Sequence, residues 1–274
     1  KRHLNPDREK EKPIEELECP CQDQFVHVDL ATGTGLIPQL LQSEAQAANI
    51  SGTIIGIDHD PLALSIARAS MANTGLVKTI FLEGDARSAD DVARPYLPPG
   101  GADSVSIHDA IHEIDGEEGQ RQVFAGLAEI THDNAFLSIN SSFTSTSMAV
   151  GHSMRGHGEW KLHFVRLTGA KRNRQVETLA YRTPDDYKQM ITDAGFVVVH
   201  EEDRVVQLTH SALKAISRYP EFVRGMARDL TFTRDVTMDE LSDAMSAAVD
   251  HIRFELVPRI WYGVIAQKAT SSHT

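Results

Sequence analysis

The sequence predicts an α/β chain built on a doubly wound, mostly parallel sheet that carries helical insertions. Three observations predict it. Short apolar runs alternate with helical stretches from residue 25 to residue 140. A glycine bend, Gly33-Thr34-Gly35, joins the first run to the first helix. After residue 140 the alternation breaks into two irregular helical stretches, each followed by one more apolar run. Strand, helix, strand, helix with short buried strands is the pattern of a parallel sheet covered on both faces.

The elements follow in chain order. Phe25–Ala31 reads as a buried strand and Leu36–Ala48 as a helix. Thr53–Asp58 is a second strand, and Asp60-Pro61 opens a second helix over Pro61–Asn73. Thr79–Glu83 and Asp103–His108 are the third and fourth strands. A helix near Glu117–His132 then leads to a fifth strand at Ala135–Asn140. Ser147–Arg172 is mainly helical. Thr183-Pro184-Asp185-Asp186 starts a helix that ends at Gly195, and Phe196–His200 is a strand. Ser211–His251 is helical, and Arg259–Gln267 is the last strand. Right-handed crossovers wind such a sheet from its middle, and ligands sit beyond the carboxyl ends of the strands. The loops after Ala31, Asp58, Glu83, His108 and Asn140 therefore face one crevice.

The chain has 274 residues, enough for one large domain or two small ones. With 41% hydrophobic and 24% charged residues it has the balance of a globular domain. The formal charge of −12 disfavours nucleic acid as a partner, because phosphate backbones need surplus Lys and Arg. The basic run Lys171-Arg172-Asn173-Arg174 reads as a solvated loop. The two cysteines, Cys19 and Cys21, are too close for easy disulfide geometry and lack a second ligand pair for zinc, so free thiols in a reducing cytoplasm are expected. No apolar run is long enough to span a membrane, and no signal peptide is visible. The chain opens on Lys1 rather than Met, so its start carries no argument about secretion. Residues 1–24 form a charged N-terminal extension, expected to act as a lid, ahead of one domain over 25–274.

The sharpest motif is Val28-Asp29-Leu30-Ala31-Thr32-Gly33-Thr34-Gly35. Gly33 and Gly35 permit positive φ and let a ligand approach the backbone with no Cβ in the way. A dinucleotide fingerprint needs a third glycine to pack the helix, and Pro38 stands there instead. A carboxylate at Asp29 repels a pyrophosphate and attracts a cationic amine. Asp58 ends the next strand, where a carboxylate accepts ribose hydroxyls. Gly84-Asp85-Ala86 after the third strand offers a further acceptor for an adenine amino group.

On these residues the sequence resembles the class I S-adenosylmethionine-dependent methyltransferases. The D-x-A-T-G-T-G loop is similar to their first motif. Asp58 matches their acidic residue after the second strand, Glu83-Gly84-Asp85-Ala86 resembles their third-strand motif, and Asp193-Ala194-Gly195-Phe196 is similar to their late helix end. The His-Glu pair after strand four looks like the ubiquinone and menaquinone C-methyltransferase branch. The resemblance implies a Rossmann-like seven-stranded sheet whose last strand, Arg259–Gln267, is antiparallel beside the fifth. It implies S-adenosylmethionine as cofactor and S-adenosylhomocysteine as product. The implied cofactor residues are Asp29, Ala31, Thr32, Gly33, Gly35, Asp58, His59, Gly84, Asp85, Ala86 and His108.

Methyl transfer from a sulfonium is an in-line displacement governed by positioning, and a base is needed only where the acceptor carries a proton. His112 is the first candidate for that base because imidazole titrates near neutrality. Asp109 is placed to touch the cofactor's methionine end or the substrate, and Glu113 to orient His112. His108 and His112 lie four apart, as two metal ligands on one helix face do, but strand context puts His108 at a strand end, so no metal is expected. Segments of about 146–182 and 208–257 are expected to form a helical substrate cover. His112, His152, His157 and Trp160 are its expected substrate contacts, with Arg155 or Arg166 available for an acid group and His163 nearby. Tyr219, Phe222, Met226 and Met245 read as packing residues. A pocket of this kind suits a small organic substrate; the sequence leaves a homodimer open. A cofactor-binding protein with a cyclising or regulatory role is the second reading. A nicotinamide-dependent oxidoreductase is the third, and Pro38 and the lack of a Tyr-x-x-x-Lys pair count against it.

Overall fold

The computed structural model describes residues 24–71, 75–173, 175–176 and 181–270. The N-terminal extension with Cys19 and Cys21, the expected helix end at Asn73, and Arg174 of the basic run lie outside these residues.

Nine strands and nine helices follow in order among the described residues. Strands β1 (Gln24–Leu30), β2 (Ser51–Asp58), β3 (Val77–Glu83) and β4 (Ala102–His108) alternate with helices α1 (Leu36–Ala48), α2 (Pro61–Ser70) and α3 (Ala89–Ala93). Helix α4 (Gly116–Glu129) leads into β5 (Thr131–Ser141), then α5 (Ser153–Thr168), β6 (Lys171–Arg172), α6 (Pro184–Asp193) and β7 (Phe196–Thr209). Helices α7 (His210–Ile216) and α8 (Pro220–Ala227), strand β8 (Leu230–Thr231), α9 (Met238–Val249) and β9 (Leu256–Lys268) complete the chain.

Seven strands form one sheet in the order β3-β2-β1-β4-β5-β9-β7, with six strands parallel and β9 antiparallel. This is the architecture that the resemblance implies. The parallel registers pair Asp29 with Gly56 and with Ser106, and Asp58 with Glu83. The winding reverses between β1 and β4, and such a reversal opens a crevice at the carboxyl ends of the strands.

The elements form for local reasons. Asp60 Oδ1 accepts the Leu62 N–H at 2.8 Å and caps α2, whose Pro61 fills the first turn at no cost in hydrogen bonds. Thr183 and Asp186 cap each other's backbone N–H at the start of α6. Thr237 and Glu240 form the same reciprocal cap on α9. Pro38 is buried in the first turn of α1, where the missing N–H is harmless.

The chain divides into two compact units. The first holds Lys1–Ile139, Met190–Val199 and Ile265–Thr274; the second holds Asn140–Gln189 and His200–Val264. In the first unit, Leu64, Ala67, Met71 and Phe81 form one apolar cluster and Ala45, Ile54 and Val77 another. The second unit packs around Trp160 and Phe164 of α5 and Leu241, Met245, Ala248 and Val249 of α9, joined by residues of β7, α7, α8 and β8. Among the described residues no helix is long and apolar enough to cross a membrane.

Several expected boundaries move. Helix α4 stops at Glu129, and β5 starts at Thr131 rather than at residue 135. Strand β7 runs to Thr209, well past the expected end at His200. The helical stretch after residue 211 is three short helices, broken at Tyr219-Pro220 and again over residues 228–237. Proline at the first turn of α8 explains the first break.

Candidate functional site

The glycine bend is built from both ends. The Thr32 N–H donates to the Ile57 carbonyl at 3.1 Å, and the Gly35 N–H to the Thr32 carbonyl at 2.9 Å. Gly33 has φ of +55° and Gly35 has φ of +85°, so both lie in the left-handed region. Ala31 also has positive φ, at 51°, an unusual state for a residue with a Cβ. Helix α1 starts directly after Gly35, and its first backbone N–H groups are left for a ligand or solvent.

Two buried carboxylates flank this bend. Asp58, 7% exposed, accepts the Gly33 N–H on Oδ2 and the Asp60 N–H on Oδ1, both at 2.8 Å. A carboxylate has about four lone-pair directions, so each oxygen keeps one for another donor. Asp29, 1% exposed, accepts the Ser106 hydroxyl at 2.6 Å. Burial pushes the Asp29 carboxyl up to about 6, against the pull of Ser106 and Thr32 and with a further push from Asp58. The Thr32 hydroxyl sits close enough to act on Asp29, yet it is buried without a hydrogen-bond partner of full geometry. Such an atom is a donor waiting for an acceptor. Gly56 makes room for it, since a Cβ there would meet Thr32 Oγ1 at 2.9 Å and the Phe81 ring at 2.8 Å.

His59 lies beside Asp58, with Nδ1 at 3.6 Å from Oδ1, and is largely exposed. Gly84 is tied to the same strand end, its N–H donating to the Asp58 carbonyl at 2.9 Å. Asp85, the expected acceptor for an adenine amino group, also holds its own turn. Its carboxylate caps the turn Ala86–Ser88 through the Arg87 N–H at 2.8 Å and takes the Arg87 guanidinium at 3.0 Å. These bonds hold the Asp85 carboxyl down at about 2. Half-exposed Asp85 is therefore charged and already engaged, with lone pairs left over rather than a vacant group.

After β4 the chain turns sharply. His108 is half-buried, Asp109 has φ of +49°, and Ile111–Glu113 forms a single tight turn ahead of α4. His112 is half-buried and Glu113 exposed. Neither begins α4, which starts at Gly116 behind Asp115. A positive φ at a non-glycine residue next to three titratable side chains marks a loop held in a strained form. Among the described residues no group of three or more His, Cys, Asp or Glu is gathered as a metal set.

The residues expected to contact substrate after β5 belong to the second unit. Trp160 is a packing residue there: it is 1% exposed, its indole N–H donates to the Met245 carbonyl at 2.9 Å, and its ring stacks on Phe222. His152 stacks on Phe254 at 4.1 Å and bonds the Leu256 carbonyl at 2.6 Å. His157 lies 3.4 Å from Arg259 Nη1, and burial, then the Arg259 charge, drives its pKa down to about 3. His163 stacks on His251 at 4.7 Å. Met245 is fully buried and Phe222 and Met226 pack against the same cluster, whereas Tyr219 is 49% exposed and not a core residue. The basic run is no free loop: Lys171-Arg172 pairs antiparallel with Leu230-Thr231, and Arg172 and Lys161 both grip buried Asp229.

Two groups escaped the sequence reading. Arg259, 6% exposed, donates to the Ser142 carbonyl at 2.7 Å and lies 4.2 Å over the Phe143 ring, although the sequence shows only an arginine at a strand start. His27 and Ser106, both buried, and half-buried Ser104 form a polar file behind Asp29. Its signal is the alternation His27, Asp29 and Ser104, Ser106 inside two apolar strands, which puts all four on one sheet face.

No known family profile matches the chain, and no curated protein sequence does. Solved structures do match its fold. A S-adenosylmethionine-dependent methyltransferase from Methanosarcina mazei superposes with a TM-score of 0.52 at 14% identity, covering 91% of this chain and 95% of its own. The [4+2]-cyclase SpnF superposes with a TM-score of 0.52 at 17% identity, covering 91% of this chain and 77% of its own. The chain is similar to both in fold.

Proposed function

We propose that this protein binds S-adenosylmethionine at the Gly33–Gly35 bend and transfers its methyl group to a small organic acceptor, leaving S-adenosylhomocysteine. The observation that carries the reading is the pair Asp29 and Asp58, two buried carboxylates at the ends of adjacent parallel strands with the glycine bend between them. A methionine-type ammonium suits Asp29, and ribose hydroxyls suit the remaining lone pairs of Asp58. The Thr32 hydroxyl, Ala31, Gly33, Gly35, His59, Gly84, Asp85, Ala86 and His108 complete the proposed cofactor set. All of them come from one chain.

The bound cofactor supplies an electrophilic methyl on a sulfonium. The chain's own part is to hold the two ends of the reaction in line and keep water out. His112, on the turn after β4, is the proposed base for an acceptor that carries a proton, with Asp109 and Glu113 beside it in sequence.

The [4+2]-cyclase with the same fold favours one second reading, a bound cofactor that donates no methyl. Two measurements separate these readings. Calorimetry with S-adenosylmethionine, S-adenosylhomocysteine and NAD tests the cofactor: binding of NAD alone rejects the proposal. Incubation with methyl-labelled cofactor and a metabolite extract tests transfer: tight cofactor binding without label in any small molecule favours the second reading.

A further inference from the structure

We infer that His27 and Ser106 are positioning residues, a buried hydrogen-bonded file that keeps the Asp29 carboxylate oriented for the cofactor's ammonium group. The inference rests on the cofactor reading above and extends it to residues that touch no ligand.

With Asp29 charged and His27 neutral, the contacts fix the direction of every proton. Asp29 in its charged form only accepts, so the single Ser106 hydroxyl proton goes to Asp29 Oδ1 at 2.6 Å. Ser106 Oγ then accepts from His27 Nε2 at 2.9 Å, which places the imidazole proton on Nε2. The other ring nitrogen, Nδ1, accepts the Ser104 hydroxyl at 2.8 Å. Donation therefore runs one way, from Ser104 through His27 and Ser106 to the carboxylate. His27 is 5% exposed and Ser106 1% exposed, so water does not compete for the His27–Ser106 and Ser106–Asp29 bonds. In such surroundings each bond polarises the next, and breaking one link leaves a buried donor unpaired.

The register explains why the file exists. His27 pairs with Ser104, and Asp29 with Ser106, across the parallel β1–β4 ladder, so the four side chains share one face. His27 stays neutral because burial, reinforced by His108 on β4, holds its pKa near 3. A charged imidazolium would grip Asp29 as a salt bridge and compete with the ligand's ammonium; a neutral ring orients the carboxylate and leaves its charge for the ligand. The groups acting on Asp29 are Ser106 from β4, Thr32 from the bend, Asp58 from β2 and, through Ser106, His27 from its own strand. Asp58 and burial oppose the charge; the bond donated by Ser106 supports it, and the nearby Thr32 hydroxyl adds to that support.

The test is the pH profile of S-adenosylhomocysteine affinity, measured by calorimetry on the full chain from pH 5.5 to 8. In the wild type the affinity falls as pH drops through about 6. Ser106→Ala removes the donor and moves this midpoint upward by roughly one pH unit, weakening binding about fivefold at pH 6 and less than twofold at pH 8. A merely structural role predicts the same loss at every pH, and that result, or an unchanged profile, overturns the inference. Nitrogen-15 NMR of the ligand-free wild type supplies a second readout. His27 is expected as the neutral Nε2–H tautomer at pH 8, and an Nδ1–H tautomer or a cationic ring overturns the file. A wild type that binds no S-adenosylhomocysteine at any pH fails the cofactor reading instead, while the tautomer still judges the file.

Discussion

Asp58 Oδ2 lies 2.8 Å from the backbone nitrogen of Gly33, so one carboxylate clamps the glycine bend to the end of the neighbouring strand. Its other oxygen holds the Asp60 N–H. Asp58→Ala unties both. Lost bonds to a charged group are worth about 1.5–3 kcal/mol each, so S-adenosylhomocysteine affinity is expected to fall by at least about tenfold and stability to fall with it. Calorimetry and urea denaturation read the two effects; an unchanged affinity removes Asp58 from the site.

The two glycines of the bend should respond differently to alanine. Gly33 has φ of +55°, inside the region alanine tolerates at a cost of about 1–2 kcal/mol, and nothing lies within 4 Å of the added Cβ. Gly35 has φ of +85°, and its Cβ would meet the Ala67 Cβ at 3.1 Å. Gly35→Ala is therefore expected to lower the melting temperature more than Gly33→Ala does. Equal losses would show that α2 yields freely at Ala67.

The buried carboxyl of Asp29 carries an opposite sign of stability. Its folded pKa of about 6 stands above the ordinary 3.8, so the native state binds a proton more tightly than the unfolded chain. The favourable contribution is complete below about pH 4 and lost as pH rises through about 6, where burying the charge costs about 3 kcal/mol. Asp29→Asn keeps an acceptor for Ser106 and removes that charge. At pH 7.5 the variant should melt higher than the wild type, and at pH 5 the gap should narrow, while S-adenosylhomocysteine affinity is lost. A variant less stable at pH 7.5 would contradict this.

Most of the framework was legible because β1 to β4 are buried parallel strands, written as short apolar runs between capped helices. The misread strand boundaries lie where polar residues occupy strand positions. Strand β7 continues through His200–Arg204, a charged run, because it lies at the sheet edge where side chains face solvent and the backbone still pairs. The start of β5 at Thr131-His132-Asp133, inside the sheet, hides instead behind polar residues that favour turns. In the candidate site, the glycine bend and the placing of Asp29 and Asp58 at neighbouring strand ends could be read from spacing. The engagement of Asp85 by Arg87 could not, since it depends on side-chain direction within a tight turn. Trp160 was misassigned because a lone aromatic among histidines looks the same in sequence whether it faces a ligand or a core.

His112 stands as the proposed base on the turn behind strained Asp109. His112→Ala is expected to lower turnover by about 10²-fold or more at neutral pH while cofactor affinity stays within about twofold. Steady-state rates with the labelled-transfer acceptor and parallel calorimetry make the check. Unchanged turnover ends the base assignment.

Asp229 anchors the second unit through Lys161 at 2.7 Å and Arg172 at 2.8 Å. Burial works against its charge, and the two cations outweigh it, so its pKa lies below the ordinary carboxylate value. The stabilisation is present at neutral pH and lost as pH falls through that depressed value. Asp229→Ala is expected to cost about 1–3 kcal/mol in urea denaturation, discounted because Arg172 is largely exposed. A neutral result would mean the pair merely offsets its own desolvation.

The chain passes from one compact unit to the other at residues 139–140, 189–190, 199–200 and 264–265. Four crossings mean that no single cut frees either half. Excising Asn140–Gln189 alone leaves the second unit without one of its two pieces, and ending the chain at Ile139 strips the first of Met190–Val199 and Ile265–Thr274. Moving the second unit intact into another chain would therefore need two grafts made together, one for each of its segments.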